Sequence, residues 1–144
     1  MTDQTTTVAD LALAAYERAL EPKRLVVLPG GHFSGDRDDY AAQLRRKFSF
    51  LTESLARHLA RTYGSNSDAL LKGITSTEGL GEHFGHELYE AELRWLVAHE
   101  WVRKADDALW RRTKLGMWLT EDEQARVAQW LSAHQAPQAL SLAS

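Results

Sequence analysis

From Asp39 to His134 the apolar residues recur every three to four positions, in blocks separated by glycines. That is the period of helices burying one face. Tyr40, Leu44 and Phe48 share a face over about 39–48, while Arg45, Arg46 and Lys47 point outward at the end where the helix dipole favours cations. Thr52 reads as the cap of a second helix, whose stripe of Leu55, Leu59 and Tyr63 stops at Gly64 and whose outer face carries Arg57 and Arg61. A short helix at about 67–72 carries Leu70 and Leu71. The glycine-rich connection Thr77 to Gly85 reads as an interhelical turn, leading into a helix with Tyr89, Leu93, Leu96 and Val97 inward. Residues at about 105–115 would turn Ala105, Leu109 and Trp110 inward. Thr120 and Glu123 then form a capping box for a last helix bearing Val127, Trp130, Leu131 and His134.

The first 33 residues follow another pattern. Val8 to Leu20 is alanine-rich and amphipathic, Glu21-Pro22 ends it, and Arg24 to Leu28 reads as a strand before Pro29-Gly30-Gly31-His32-Phe33. A single strand leaves its backbone groups unpaired unless another segment or chain supplies a partner. The three prolines, Pro22, Pro29 and Pro137, leave everything between the last two proline-free, as a helical domain requires. The expected fold is all-α: a small domain of about six helices over 34–144, preceded by a helix and one short strand in 1–33.

Composition narrows the function classes. With 144 residues, 44% hydrophobic and 26% charged, the chain suits one globular domain with a modest core. Without cysteine it has no disulfide, thiolate metal site or cysteine nucleophile. A formal net charge of −3 opposes non-specific nucleic-acid binding, so no nucleic-acid partner is expected. No apolar run approaches the ~20 residues that span a bilayer, and the polar start has no signal-peptide core. The expected location is cytoplasmic, with contact at most peripheral to the inner face of the cell membrane.

Four motifs carry a resemblance. Leu28-Pro-Gly-Gly31 precedes Tyr40-Ala-Ala-Gln-Leu-Arg-Arg-Lys-Phe48; then come Leu59-Ala-Arg-Thr-Tyr-Gly64, Tyr89-Glu-Ala-Glu-Leu-Arg94, and Glu100 through Gly116 centred on Asp107-Ala-Leu-Trp-Arg-Arg-Thr-Lys-Leu-Gly116. In that order they resemble the C-terminal helical domain of FAD-dependent aerobic glycerol-3-phosphate dehydrogenases and alpha-glycerophosphate oxidases. The ending Ser141-Leu-Ala-Ser144 resembles the tail of such an enzyme. The resemblance implies oxidation of glycerol 3-phosphate to dihydroxyacetone phosphate, with electrons passing through FAD to quinone. It also implies that the flavin and substrate groups belong to a catalytic portion absent from these 144 residues. The chain would be a truncated cap acting in packing or assembly, with that FAD-binding portion or a second copy of itself as partner. It carries over no catalytic or cofactor-binding residue to this domain.

Residues 1–33 separately resemble the end of an alpha/beta-hydrolase, with His32 matching the catalytic histidine and Asp3 a loose acidic partner. No Gly-x-Ser-x-Gly nucleophile elbow accompanies them. Leu28-Pro-Gly-Gly31 suits both families, which leaves a fusion, a gene remnant and an assembly artefact open.

Other candidates are set against plainer readings. His83 and His86, flanked by Glu82, Glu87 and Glu90, have a spacing that could hold zinc on a helix; the plainer reading is a polar helix start. Gly79-x-Gly81-x-x-x-Gly85 imitates a dinucleotide turn, with the wrong spacing and no strand ahead of it. Glu100, Arg103, Asp107, Arg111 and Arg112 read as a structural charge network around the last interhelical turn, with Asp107 and Arg111 four apart. Trp110 and Gly116 join that structural or interface set. Trp95, Trp101, Trp110, Trp118 and Trp130 read as core or interface residues, the sharper alternative being a membrane-surface or partner-docking face. A different class stays open: an autonomous helical binding module for protein or DNA, using Ala105 to Leu115 as a recognition helix.

Overall fold

The computed structural model describes residues 35–134, together with Ala15, which is helical. The rest of the Val8 to Leu20 helix, the Arg24 to Leu28 strand, Asp3, His32 and the Ser141 to Ser144 ending lie outside the described residues.

Helix α1 (Arg37–Lys47) starts where Asp36 caps it. The Asp36 carboxylate accepts the N–H groups of Asp38 and Asp39 at 2.9 and 2.8 Å, and the Asp39 carboxylate accepts the Asp36 N–H at 3.3 Å. This reciprocal box satisfies donors that would otherwise be orphaned. Thr52 caps α2 (Glu53–Tyr63), its hydroxyl accepting the Leu55 N–H at 3.2 Å. Tyr40, Ala41 and Leu44 of α1 and Leu55, Leu59 and Tyr63 of α2 are buried as the two helices pack together. After Gly64, the short α3 (Asn66–Leu70) is tied back by the buried Ser67 hydroxyl, which donates to the Leu59 carbonyl at 3.0 Å.

The glycine-rich connection is built rather than loose. A 3₁₀ turn (Glu78–Leu80) leads into an antiparallel hairpin of β1 (His83–Gly85) and β2 (Leu88–Tyr89), with a bulge between His83 and Gly85. Gly85 at φ +133° and His86 at φ +47° reverse the chain there, which excludes the helix start expected around His83 and His86. The reversal buries Phe84 and Leu88 completely. Tyr89 consequently ends a strand and caps α4 (Glu90–His99) instead of lying on its buried face. Leu93 and Leu96 of α4 are fully buried, whereas Val97 is only half-buried.

The expected helix at about 105–115 is also different. Asp107–Arg112 is a π-helix, followed by a 3₁₀ turn at Leu115–Met117. The Thr113 N–H and hydroxyl both donate to the Ala108 carbonyl, five residues back, at 3.0 and 2.8 Å. The wider turn keeps Ala108 and Leu109 inside and turns Trp110 outward, against the expectation that it faced the core. Helix α5 (Glu121–His134) begins with the capping box read from the sequence, Thr120 and Glu123 exchanging bonds at 2.8 and 3.3 Å. Its Val127, Trp130 and Leu131 are buried, and Trp130 meets Phe84 edge to face. The all-helical class therefore holds, with one two-stranded hairpin added. Among the described residues no helix is long and apolar enough to cross a membrane.

Candidate functional site

The stretch from Glu100 to Leu119 is held by its own polar side chains. Glu100 closes α4 and meets Arg112 twice: its carboxylate lies 3.3 Å from the guanidinium, and its carbonyl accepts from the same group at 3.2 Å. Asp107 accepts the N–H groups of Arg103 and Lys104 at 3.2 and 3.1 Å and pairs with Arg111 at 3.4 Å. Those two N–H groups hold the Asp107 carboxyl below the usual carboxylate range. Two carbonyls, of Gly116 and Leu119, accept from the Gln124 side chain, which fastens the 3₁₀ turn to α5. Gly116 is needed for closeness: a Cβ there would stand 2.5 Å from the Trp110 ring, which lies over it.

This framework displays apolar surface. Trp101, Met117, Trp118 and Trp110 are 80%, 64%, 65% and 42% exposed, and they are all of the large exposed hydrophobics among the described residues. Arg103, Lys104, Arg111, Arg112 and Lys114 are exposed beside them. Of the five tryptophans only Trp130 is in the core; Trp95 is half-buried, its ring tilted 36° against that of His99 at 4.0 Å. Large apolar side chains normally face inward, so this exposed run sets the segment apart from the rest of the described surface.

A second polar constellation was not legible from spacing. Glu92, 2% exposed, receives His58 Nε2 at 2.8 and 3.0 Å from its two oxygens and the Tyr63 hydroxyl at 2.6 Å. Burial pulls the His58 pKa down, but the Glu92 carboxylate, with Glu87 farther off, more than reverses this, and the net shift is upward. Burial and the Glu92 charge both push the Tyr63 phenol up. The available signal was an acid on the inward face of α4, one turn before Leu96. Since a buried charge requires partners, that position called for a donor from a neighbouring helix.

Three other candidates resolve into ordinary geometry. His83 Nε2 donates to the His86 carbonyl at 2.6 Å, and its ring lies against Tyr89, while His86 stacks on Trp118. Among the described residues no group of three or more His, Asp or Glu side chains is placed to hold a metal ion. The residues of the Gly79, Gly81 and Gly85 connection do not fit a flavin pyrophosphate. The space a Cβ would take at Gly81 and Gly85 is filled by the Glu90 and Glu123 carboxylates, which repel phosphate. The recognition-helix reading of Ala105 to Leu115 meets a six-residue π-helix, with Arg112 committed to Glu100 and Lys114 donating to the Trp110 carbonyl.

Comparison with known proteins gives a consistent picture. The family described as the C-terminal domain of alpha-glycerophosphate oxidase matches residues 24–136, beginning inside the first 33 residues and including His32. Aerobic glycerol-3-phosphate dehydrogenase of Escherichia coli K12 is 69% identical over 118 residues, covering 82% of this chain and 23% of that protein. D-erythritol 1-phosphate dehydrogenase of Brucella abortus is 41% identical over 104 residues, 72% of this chain and 21% of that protein. Glycerol-3-phosphate dehydrogenase of Pseudomonas aeruginosa is 41% identical over 106 residues, again 21% of its length. The chain thus spans less than a quarter of each of these relatives.

Proposed function

The chain belongs to the family of alpha-glycerophosphate oxidase C-terminal domains, and from that premise we propose that it is the helical cap of an FAD-dependent polyol-phosphate dehydrogenase, non-catalytic alone. It docks on the flavin-binding catalytic portion through the face made by Trp101, Trp110, Met117 and Trp118. The observation carrying this reading is that every large exposed hydrophobic among the described residues falls in this one segment. The surrounding charge network holds the segment in shape before any partner arrives, so docking costs little ordering entropy.

Glycerol 3-phosphate is the substrate we assign to the assembled enzyme, because the relatives from Escherichia coli and Pseudomonas aeruginosa are named for it. FAD would accept the electrons, bound wholly by the catalytic portion; this chain supplies packing and assembly at or near the membrane surface. The test mixes the purified chain with a glycerol-3-phosphate dehydrogenase from which the matching domain has been removed, and follows dye-coupled oxidation and co-elution. Activity should appear only in the mixture and fall at least tenfold, about 1.4 kcal/mol or more, with Trp110→Ser/Trp118→Ser. Co-elution and activity indifferent to those substitutions would remove the docking face; no complementation and no complex would remove the cap reading.

A further inference from the structure

His86 stands at the tip of the β1–β2 hairpin at φ +47°, a backbone that glycine adopts freely and a residue with a Cβ resists. The turn itself does not need the imidazole. Its closing bond runs from His83 Nε2 to the His86 carbonyl at 2.6 Å, and Gly85 packs against the Glu123 carboxylate of α5, so both supports would remain with any side chain at position 86. Among the described residues the exposed imidazole makes no hydrogen bond or ion pair. Backbone strain with no local use points to a contact elsewhere.

That contact is the Trp118 indole, on which the imidazole stacks with 5.5 Å between ring centroids and 28° between planes, the spacing of a favourable offset aromatic pair. Trp118 needs such a neighbour. Its backbone is fixed from its own side: its N–H donates to the Leu115 carbonyl at 2.9 Å, and the flanking Gly116 and Leu119 carbonyls accept from Gln124. The ring, 65% exposed, is held by no hydrogen bond among the described residues, so without the stack it would spread over its rotamers. The stack joins two stiff pieces, the hairpin tip and the 3₁₀ turn, and leaves the rest of the indole in water.

We propose that His86 is a positioning residue for docking: stacked on Trp118 from the hairpin tip, its imidazole fixes the pose in which that indole meets the catalytic portion. A ring already held in one rotamer loses less entropy when it is buried against a partner. The role rests on docking of the tryptophan face to the flavin-binding portion, and it adds to that face a residue from outside the segment Glu100 to Leu119.

In the 144-residue chain the Trp118 indole N–H resonance, identified by its loss in Trp118→Ser, should move toward its random-coil position in His86→Gly and remain ring-shifted in His86→Phe, whose ring can rebuild the stack. Docking on a glycerol-3-phosphate dehydrogenase that lacks the matching domain should weaken about three- to tenfold in His86→Gly and return to the wild-type level in His86→Phe. The melts should run the other way: Tm level or higher in His86→Gly, which relieves the left-handed backbone, and lower in His86→Phe, which does not. A merely structural His86 would move affinity and Tm together. Should His86→Phe not fold, His86→Asn, which suits a left-handed backbone without an aromatic ring, should lose affinity at an unchanged Tm. An unmoved Trp118 resonance in His86→Gly, undiminished docking of that variant, or affinity that follows Tm in the folded variants would each overturn this role while leaving the docking face in place. A wild-type chain that forms no complex would overturn the docking face and the role of His86 with it.

Discussion

Trp101 sits at φ +55° with four-fifths of its surface in water. A bulky residue gains nothing from that backbone, and this ring recovers little by burial, so in the isolated chain the position is a net cost. Trp101→Gly should therefore raise stability by about 0.5–1 kcal/mol, a few degrees in Tm for a domain of this size, while weakening association with a catalytic portion. Thermal melting of the two chains reads the first effect and co-elution the second. A lower Tm in the variant would mean that the ring contributes packing that outweighs the strain. The sequence showed five tryptophans but not which of them face solvent. Helical spacing put Trp110 inside because it assumes 3.6 residues per turn, and the π-helix does not keep that period. Gly116 was legible only as a member of the motif. Its φ is not positive, and what the site requires is the missing Cβ beneath Trp110.

Between elements, a buried polar link runs from α2 to α4 through His58, Tyr63 and Glu92. His58 faces Glu92 from α4, Tyr63 on its own helix and Glu87 from the hairpin turn, with Arg57 and Arg61 nearby on α2. Because its folded pKa is raised, folding favours the protonated imidazole. The resulting stability is fully present below the unfolded value of about 6.5 and is lost as pH rises through the folded pKa. Urea midpoints should accordingly fall from about pH 6 to pH 9, and His58→Gln should flatten that slope. A slope that survives the substitution assigns it to another group. Apolar spacing made α1, α2 and α5 readable, with Thr52 and Thr120 marking the starts of the last two, whereas the Asp36 cap of α1 was not read and the helix begins two residues earlier than expected. The hairpin was not readable, because its β-strands are two and three residues long and rest on a left-handed His86 that composition does not announce. The His58–Glu92 link was equally hidden: its partners lie 34 positions apart, and no local period connects them.

Across the described residues, the large exposed apolar side chains are gathered on one segment, with Arg103, Lys104, Arg111, Arg112 and Lys114 exposed beside them. An isolated domain with such a face has two ways to remove it from water: the partner it was shaped for, or another copy of itself. Without the partner, the purified chain should self-associate and bind an apolar dye. Trp110→Ser/Trp118→Ser should shift it toward monomer and dim the dye, leaving helical content intact since neither ring belongs to the buried core. Sedimentation equilibrium across a range of concentrations measures this directly. A wild-type chain that stays monomeric and dark throughout would show that scattered exposure, not an interface, explains the tryptophans. The alternative of docking by net electrostatics alone makes the opposite salt prediction. Raising salt screens charge and would weaken such contacts, whereas an aromatic interface rimmed by cations keeps its association, because the arginines and lysines repel their counterparts across a self-dimer. Stronger association at high salt is thus the result that identifies the apolar face as the driving surface.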